Sequence, residues 1–225
     1  MLKTIRAVLL FPSMLAIICS CAAAADTNRG LPRDIDTESL ARLPMIHKHD
    51  LDADGQRVFE FIMGKDTDTP NIGPAAVSLY NPKVAEAMQM LNQEVRYHSV
   101  IGRRYTELAV LVASREFDQQ YEWTMHEDTA RTEGVSAAAI DLVKFNRKIA
   151  GTGREEAVII RCGRQIFRRH KLDADVFAEA VALFGQRGAF EITAIMGDYA
   201  MAAVMLHAVD QQLAPDHPAL LPVRR

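Results

Sequence analysis

Residues 103–126 read RRYTELAVLVASREFDQQYEWTMH, two helical runs joined at Phe117-Asp118. The first is apolar over most of its length and carries Glu107; the second carries Gln119, Glu122 and His126. Positions i, i+3 and i+7 fall on one helical face, so the last three side chains are predicted to point the same way. A carboxylate beside an imidazole is then available for proton transfer, and it is expected to orient the ring and raise its pKa by favouring the imidazolium. In an antiparallel hairpin Glu107 faces the same pocket from the first helix. The competing reading is a weak surface contact, the ordinary meaning of a Glu–His pair one turn apart on an exposed helix.

The spacing from Glu107 through eleven residues to Gln119, two to Glu122 and three to His126 resembles the signature of the carboxymuconolactone decarboxylase and AhpD-like family. The similarity extends through NPKVAEAMQML, GVSAAAIDLV and LFGQRGAFEITAIMGDYA, over residues 43–222. It implies an all-α fold, an AhpD-like helical bundle around a central helical hairpin. In the hydroperoxidases of that family the positions of Gln119 and Glu122 are the cysteines of a C-x-x-C pair, with a Glu and a His completing a proton relay. Both cysteines are absent from this chain, which is more similar to the decarboxylase-like branch. The resemblance also implies a closed homo-oligomer, a homotrimer or a hexamer built from trimers.

Composition is that of an ordinary globular protein. A net charge of −3 and the lack of a basic stripe give no footprint for nucleic acid, and 49% apolar residues in 225 suffice for a sizeable core. The first residues, MLKTIRAVLLFPSMLAIICSCAAAADTN, place Lys3 and Arg6 before a short apolar segment and small residues. This is the layout of a signal peptide over residues 1–25, cleaved after Ala24 or Ala25, and it predicts a periplasmic or secreted protein. A lipoprotein anchor at Cys21 is the second reading, poorly matched by Cys19 and Ser20. Cleavage leaves Cys162 as the one remaining cysteine, so no intramolecular disulfide is expected, and its apolar setting AVIIRCGRQIF reads as a small buried side chain.

Residues 26–43 read as an extended arm, residues 44–213 as the helical domain, and residues 214–225, with Pro215, Pro218 and Pro222, as an extended tail. Within HKHDLDADGQ, Asp50, Asp52, Asp54 and Gly55 open like a calcium loop, but the twelfth position counted from Asp50 is Phe61, which supplies no ligand. The Asp cluster reads better as the cap of a helix. His47 and His49 have no partner pair, so no metal site is expected. Asn81-Pro82 starts one helix, Gly134 ends the motif helix and Ser136 caps the next. Two more helices, at 154–170 and 174–184, precede a long apolar one at 189–213. Its charges Glu191, Asp198, His207 and Asp210 argue against a membrane span.

These residues suit proton transfer on a small organic molecule with no cofactor. His126 is the expected acid/base, Glu122 its orienting partner, Glu107 the third member of the relay, and Gln119 a donor to a developing oxyanion. A decarboxylase of the family type acts on an anionic lactone acid, so Arg103, Arg104 and Arg115 are candidate carboxylate clamps, with Trp123 lining the substrate. An oligomeric binding protein without turnover and a residual hydroperoxidase are the other readings. The missing thiolate counts against the latter.

Overall fold

The computed structural model describes residues 30–222, and the leader reading, including Cys19 and Cys21, lies outside them. Among the described residues every regular element is helical. After a single 3₁₀ turn at Lys48–Asp50 come α1 (Ala53–Met63), α2 (Pro74–Ser78), α3 (Pro82–Asn92), a π-helical turn (Gln93–Tyr97), α4 (Arg103–Glu116), α5 (Gln120–Thr132), α6 (Ala137–Lys144), α7 (Arg154–Arg169) and α8 (Ala174–Ala208).

Local chemistry sets the helix starts. Asp52 accepts from the Gly55 N–H ahead of α1, Asn81 from Val84 ahead of α3 with Pro82 at the first position, and Ser136 from Ala139 ahead of α6. The hairpin turns at Asp118, a non-glycine residue at φ 50°. The long helix is interrupted at Gly185, whose φ of 73° and ψ of 172° leave the helical region. By length and composition α8 is apolar enough to cross a membrane, yet 56% of that apolar window is buried in this chain.

α4 is the axis of the bundle. Leu108, Ala109, Val110, Leu111, Val112 and Ala113 are all buried, because α5, α6, α7 and α8 pack around it. A helix apolar on every side is stable only when enclosed this way. Gly163 on α7 allows the close crossing: a Cβ there would lie 2.2 Å from Val112 Cγ1. Beside it Cys162 is 1% exposed, and burial pushes its thiol up to about 11. A second, smaller apolar cluster of Val58, Phe59, Leu79 and Ala85 holds α1–α3 together as a layer against the bundle.

The arm is folded on its own chain, and the tail is irregular apart from a turn at 215–217. The described part of the arm, 30–43, is a series of turns that buries Ile35 and Ala41. It is tied to the end of α8 by Arg42 N–H to Val209 O at 2.7 Å and Gln212 N–H to Leu40 O at 2.8 Å. Its apolar residues find a place on their own chain. The tail runs back along the hairpin, burying Leu221, and its Pro222 carbonyl accepts from Arg115 Nη1 at 2.7 Å.

Candidate active site

A cavity of about 420 Å³ opens between the α1–α3 layer and the bundle, walled by α3, the π turn, α5 and α8. Glu122 and His126 reach it from α5, Arg96 from the π turn, and Asp198 and Tyr199 from α8. Its roof is the loop before α2. Tyr121 donates from its hydroxyl to the Ile72 carbonyl at 2.6 Å, and at Gly73 (φ 110°) a Cβ would sit 2.6 Å from that hydroxyl. Only glycine gives both the positive φ and the room.

Behind the cavity wall Glu107 is fully buried and fully partnered. Arg96 Nε lies 2.8 Å and Arg103 Nη2 2.7 Å from one carboxylate oxygen, and His126 Nδ1 lies 2.8 Å from the other. Burial pushes the Glu107 carboxyl up, but the His126 contact and the Arg96 guanidinium outweigh it and leave it at about 2. An ionised carboxylate only accepts, so His126 donates from Nδ1 and its Nε2 carries the lone pair toward the cavity.

That lone pair faces Glu122, whose nearer oxygen is 3.6 Å from Nε2, just beyond hydrogen-bond length. Glu122 is 2% exposed and its Oε1 is buried without a hydrogen-bond partner. Burial pushes its carboxyl up to about 8, Arg96 opposing and the carboxyls of Asp198 and Glu107 adding to the rise. Glu122 is therefore a carboxylic acid at neutral pH. It is Glu107, rather than Glu122, that hydrogen-bonds the imidazole. His126 does not become the more basic imidazole expected either. Burial lowers its pKa, Glu107 opposing and Arg96 and Arg103 adding to the fall, because an enclosed ring loses more solvation than one carboxylate returns.

The hairpin thus brings together Glu107, Glu122 and His126; the five other expected site residues lie outside the cavity wall. Gln119 precedes α5 as its cap, its Oε1 accepting from the Tyr121 N–H at 2.9 Å, and borders a separate cavity with His207 and Asp210. A cap residue stands outside the helix, so the i, i+3, i+7 relation does not extend to it. Trp123 is fully buried on the far side of α5, donating to Glu127 Oε2 at 2.6 Å. Arg103 stands behind the cavity on Glu107, stacked 4.5 Å from the Tyr97 ring, and Arg115 is at the other end of α4 beside Asp118 and Pro222. Neither arginine lines the cavity, and nor does Arg104, which pairs with Glu156 at 2.7 Å.

Arg96, Asp198, Tyr199 and Asn92 are the cavity residues that sequence reasoning passed over. Asn92 Nδ2 donates to Asp198 Oδ2 at 2.8 Å, and the Tyr199 ring meets His126 edge-on at 5.0 Å. A signal existed for Asp198, a carboxylate inside an apolar helix. Arg96 reaches inward because the chain widens into a π turn at that point, which no periodicity in the sequence announces. Among the described residues no group of three His, Cys, Asp or Glu side chains is placed to hold a metal.

Residues 82–160 match the family model of the carboxymuconolactone decarboxylase family. The match covers about a third of the chain, and the all-helical AhpD-like fold agrees with it. An alkylhydroperoxidase AhpD core, an uncharacterised peroxidase-related protein from Ralstonia eutropha JMP134, is similar at 15% identity over 79% of this chain and 94% of its own, with a TM-score of 0.62. A protein of unknown function from Agrobacterium tumefaciens, a candidate antioxidant-defence protein AhpD, is similar at 20% identity over 63% and 94%, with a TM-score of 0.54. The debrominase Bmp8, in complex with 2,3,4-tribromopyrrole, is similar at 17% identity over 72% and 85%, with a TM-score of 0.55. At these identities the likeness is one of fold. No curated protein matches the chain.

Proposed function

We propose that this protein is a cofactor-free lyase of the carboxymuconolactone decarboxylase type, acting by proton transfer on a small organic acid. The observation that carries the reading is the Glu122 carboxyl, buried in the cavity wall with a free Oε1 and backed by a His–Glu–Arg array. In the proposed step the bond to the departing carboxylate breaks and CO₂ leaves. The electron pair stays on the substrate, delocalised over its conjugated carbonyl, and takes the Glu122 proton. Water then reprotonates Glu122, His126 Nε2 holding the proton in passage. Glu107, itself held by Arg96, keeps the imidazole in the tautomer that makes this possible.

Activity is expected to fall above about pH 8, where Glu122 ionises. The test is release of CO₂ from a set of β-keto acids and unsaturated lactone acids. A positioned acid is worth ~10²–10⁴-fold, so Glu122→Gln and His126→Gln should each lose about that much while keeping helical content. Wild-type turnover by either variant would make the cluster structural.

A residual hydroperoxidase is the second reading, favoured by the peroxidase-related neighbour. Cys162, the one cysteine among the described residues, is buried, so hydroperoxide consumption driven by a dithiol should stay at background. Self-association as a trimer or hexamer is part of the proposal. Phe190, Met201 and Val204 are exposed by 67%, 37% and 57% and share one face of α8. Light scattering showing a monomer at micromolar concentration would refute it. Action in the periplasm is proposed from the leader over residues 1–25, and intact mass of exported protein decides it.

A further inference from the structure

The charges around the cavity select its ligand more narrowly than the family match does. Two carboxyl side chains, Glu122 and Asp198, line it at 2% and 6% exposure, and the Oε1 of Glu122 is buried without a hydrogen-bond partner. Among the described lining residues Arg96 is the one guanidinium, and its Nε is committed to Glu107 at 2.8 Å. The remaining wall mixes apolar side chains such as Ile72, Met88 and Met125 with uncharged polar ones such as Asn71, Ser78 and Gln89. Methionines shape themselves to a flat ring. A volume of about 420 Å³ falls at the small end of ligand cavities.

We propose that the cavity takes a small cyclic compound with an uncharged body and a single carboxylate placed beside Arg96, and that it rejects dianions. A second carboxylate has no cation left to meet and would lie against Asp198, where like charges repel through little intervening water. The assignment of that one carboxylate as the leaving group rests on the lyase reading above. The charge preference itself does not.

The test is a ladder of charge on one unreactive ring: cyclohexanone, cyclohexanecarboxylate and trans-cyclohexane-1,2-dicarboxylate, titrated calorimetrically into the full-length protein at neutral pH. The monocarboxylate should bind, and the dicarboxylate should bind at least about tenfold more weakly. Asp198→Asn should narrow that gap by relieving the repulsion. A dicarboxylate that binds as tightly as the monocarboxylate, or no binding by any of the three up to millimolar concentration, overturns the proposal. Because these rings lose no CO₂, the two readings fail separately. A ladder that holds while no acid is decarboxylated removes the lyase and leaves the preference; a ladder that fails while CO₂ is still released removes the preference alone.

Discussion

Helix α5 carries two buried glutamates on opposite faces, and the protein treats them in opposite ways. Glu127, 4% exposed, meets Lys144 Nζ at 2.7 Å, Arg131 Nη2 at 2.7 Å and Trp123 Nε1 at 2.6 Å. Burial pushes its carboxyl up, but those partners outweigh it and hold it below the usual range. Glu122, five residues earlier, has a buried oxygen with no partner and rises to about 8. A glutamate that exists to hold helices together acquires donors on every side. One that is kept protonated, short of partners and at the edge of a cavity is held ready for something absent from the chain itself. The difference is the one expected between a structural carboxylate and a chemical one, and it supports the role proposed for Glu122 without reference to any relative.

Glu107 tests the limit of this contrast, being saturated with partners and yet in contact with the site. Glu107→Gln leaves Arg96 and Arg103 crowded together without their counter-charge, and breaking a buried ion pair from one side costs ~3–5 kcal/mol. Denaturant unfolding should show a loss of that size. A stable variant with unchanged chemistry would mean that the array is ornamental.

The next effect in size concerns Glu122 and has a definite sign. Its pKa is raised on folding, from the ordinary 4.5 to about 8. The stability this group contributes is therefore fully present below about pH 4.5 and is lost as pH rises toward 8. Glutamine does not titrate. Glu122→Gln should match the wild type near pH 4.5 and exceed it by roughly a few kcal/mol above pH 8, since each tenfold change in proton affinity corresponds to about 1.4 kcal/mol. Melts at the two pH values check this, and a gap that does not widen with pH would show that the carboxyl is solvated after all. Glu127→Gln should behave in the contrary way, costing about 1–3 kcal/mol at neutral pH through weakened charge-assisted bonds, with no effect on turnover.

The same contrast explains what was legible in the sequence. The fold was readable because its signals are local: Asn81-Pro82, Ser136 and Gly134 mark helix ends, and the unbroken apolar run of residues 108–113 announces a central helix. Glu107, Glu122 and His126 were readable as a group because helical period and hairpin geometry bring them together. Their division of labour was not, since it depends on Arg96 arriving from a π turn and on how deeply each carboxyl is buried. Arg103, Arg115 and Trp123 were placed near substrate by proximity in sequence. In fact they point behind or away from the cavity, because a side chain's direction on a helix changes by about 100° per residue.

Gln119 gives the smallest expected effect and the sharpest distinction between pattern and geometry. Read as part of the i, i+3, i+7 face it is an oxyanion donor, and removing such a donor costs ~10²–10³-fold in turnover. In the structure its Oε1 receives the Tyr121 N–H at 2.9 Å, and the residue borders a cavity other than the one entered by Glu122. An N-cap acceptor replaced by alanine costs about 1 kcal/mol in helix stability. Gln119→Ala should therefore lower the unfolding free energy by about 1 kcal/mol and leave turnover and its alkaline limb near pH 8 in place. Stability measured against the kcat of the same preparation separates the two roles. A hundredfold fall in kcat with the fold intact would place Gln119 back among the residues that touch substrate, and would mean that the start of α5 rearranges when the cavity is filled.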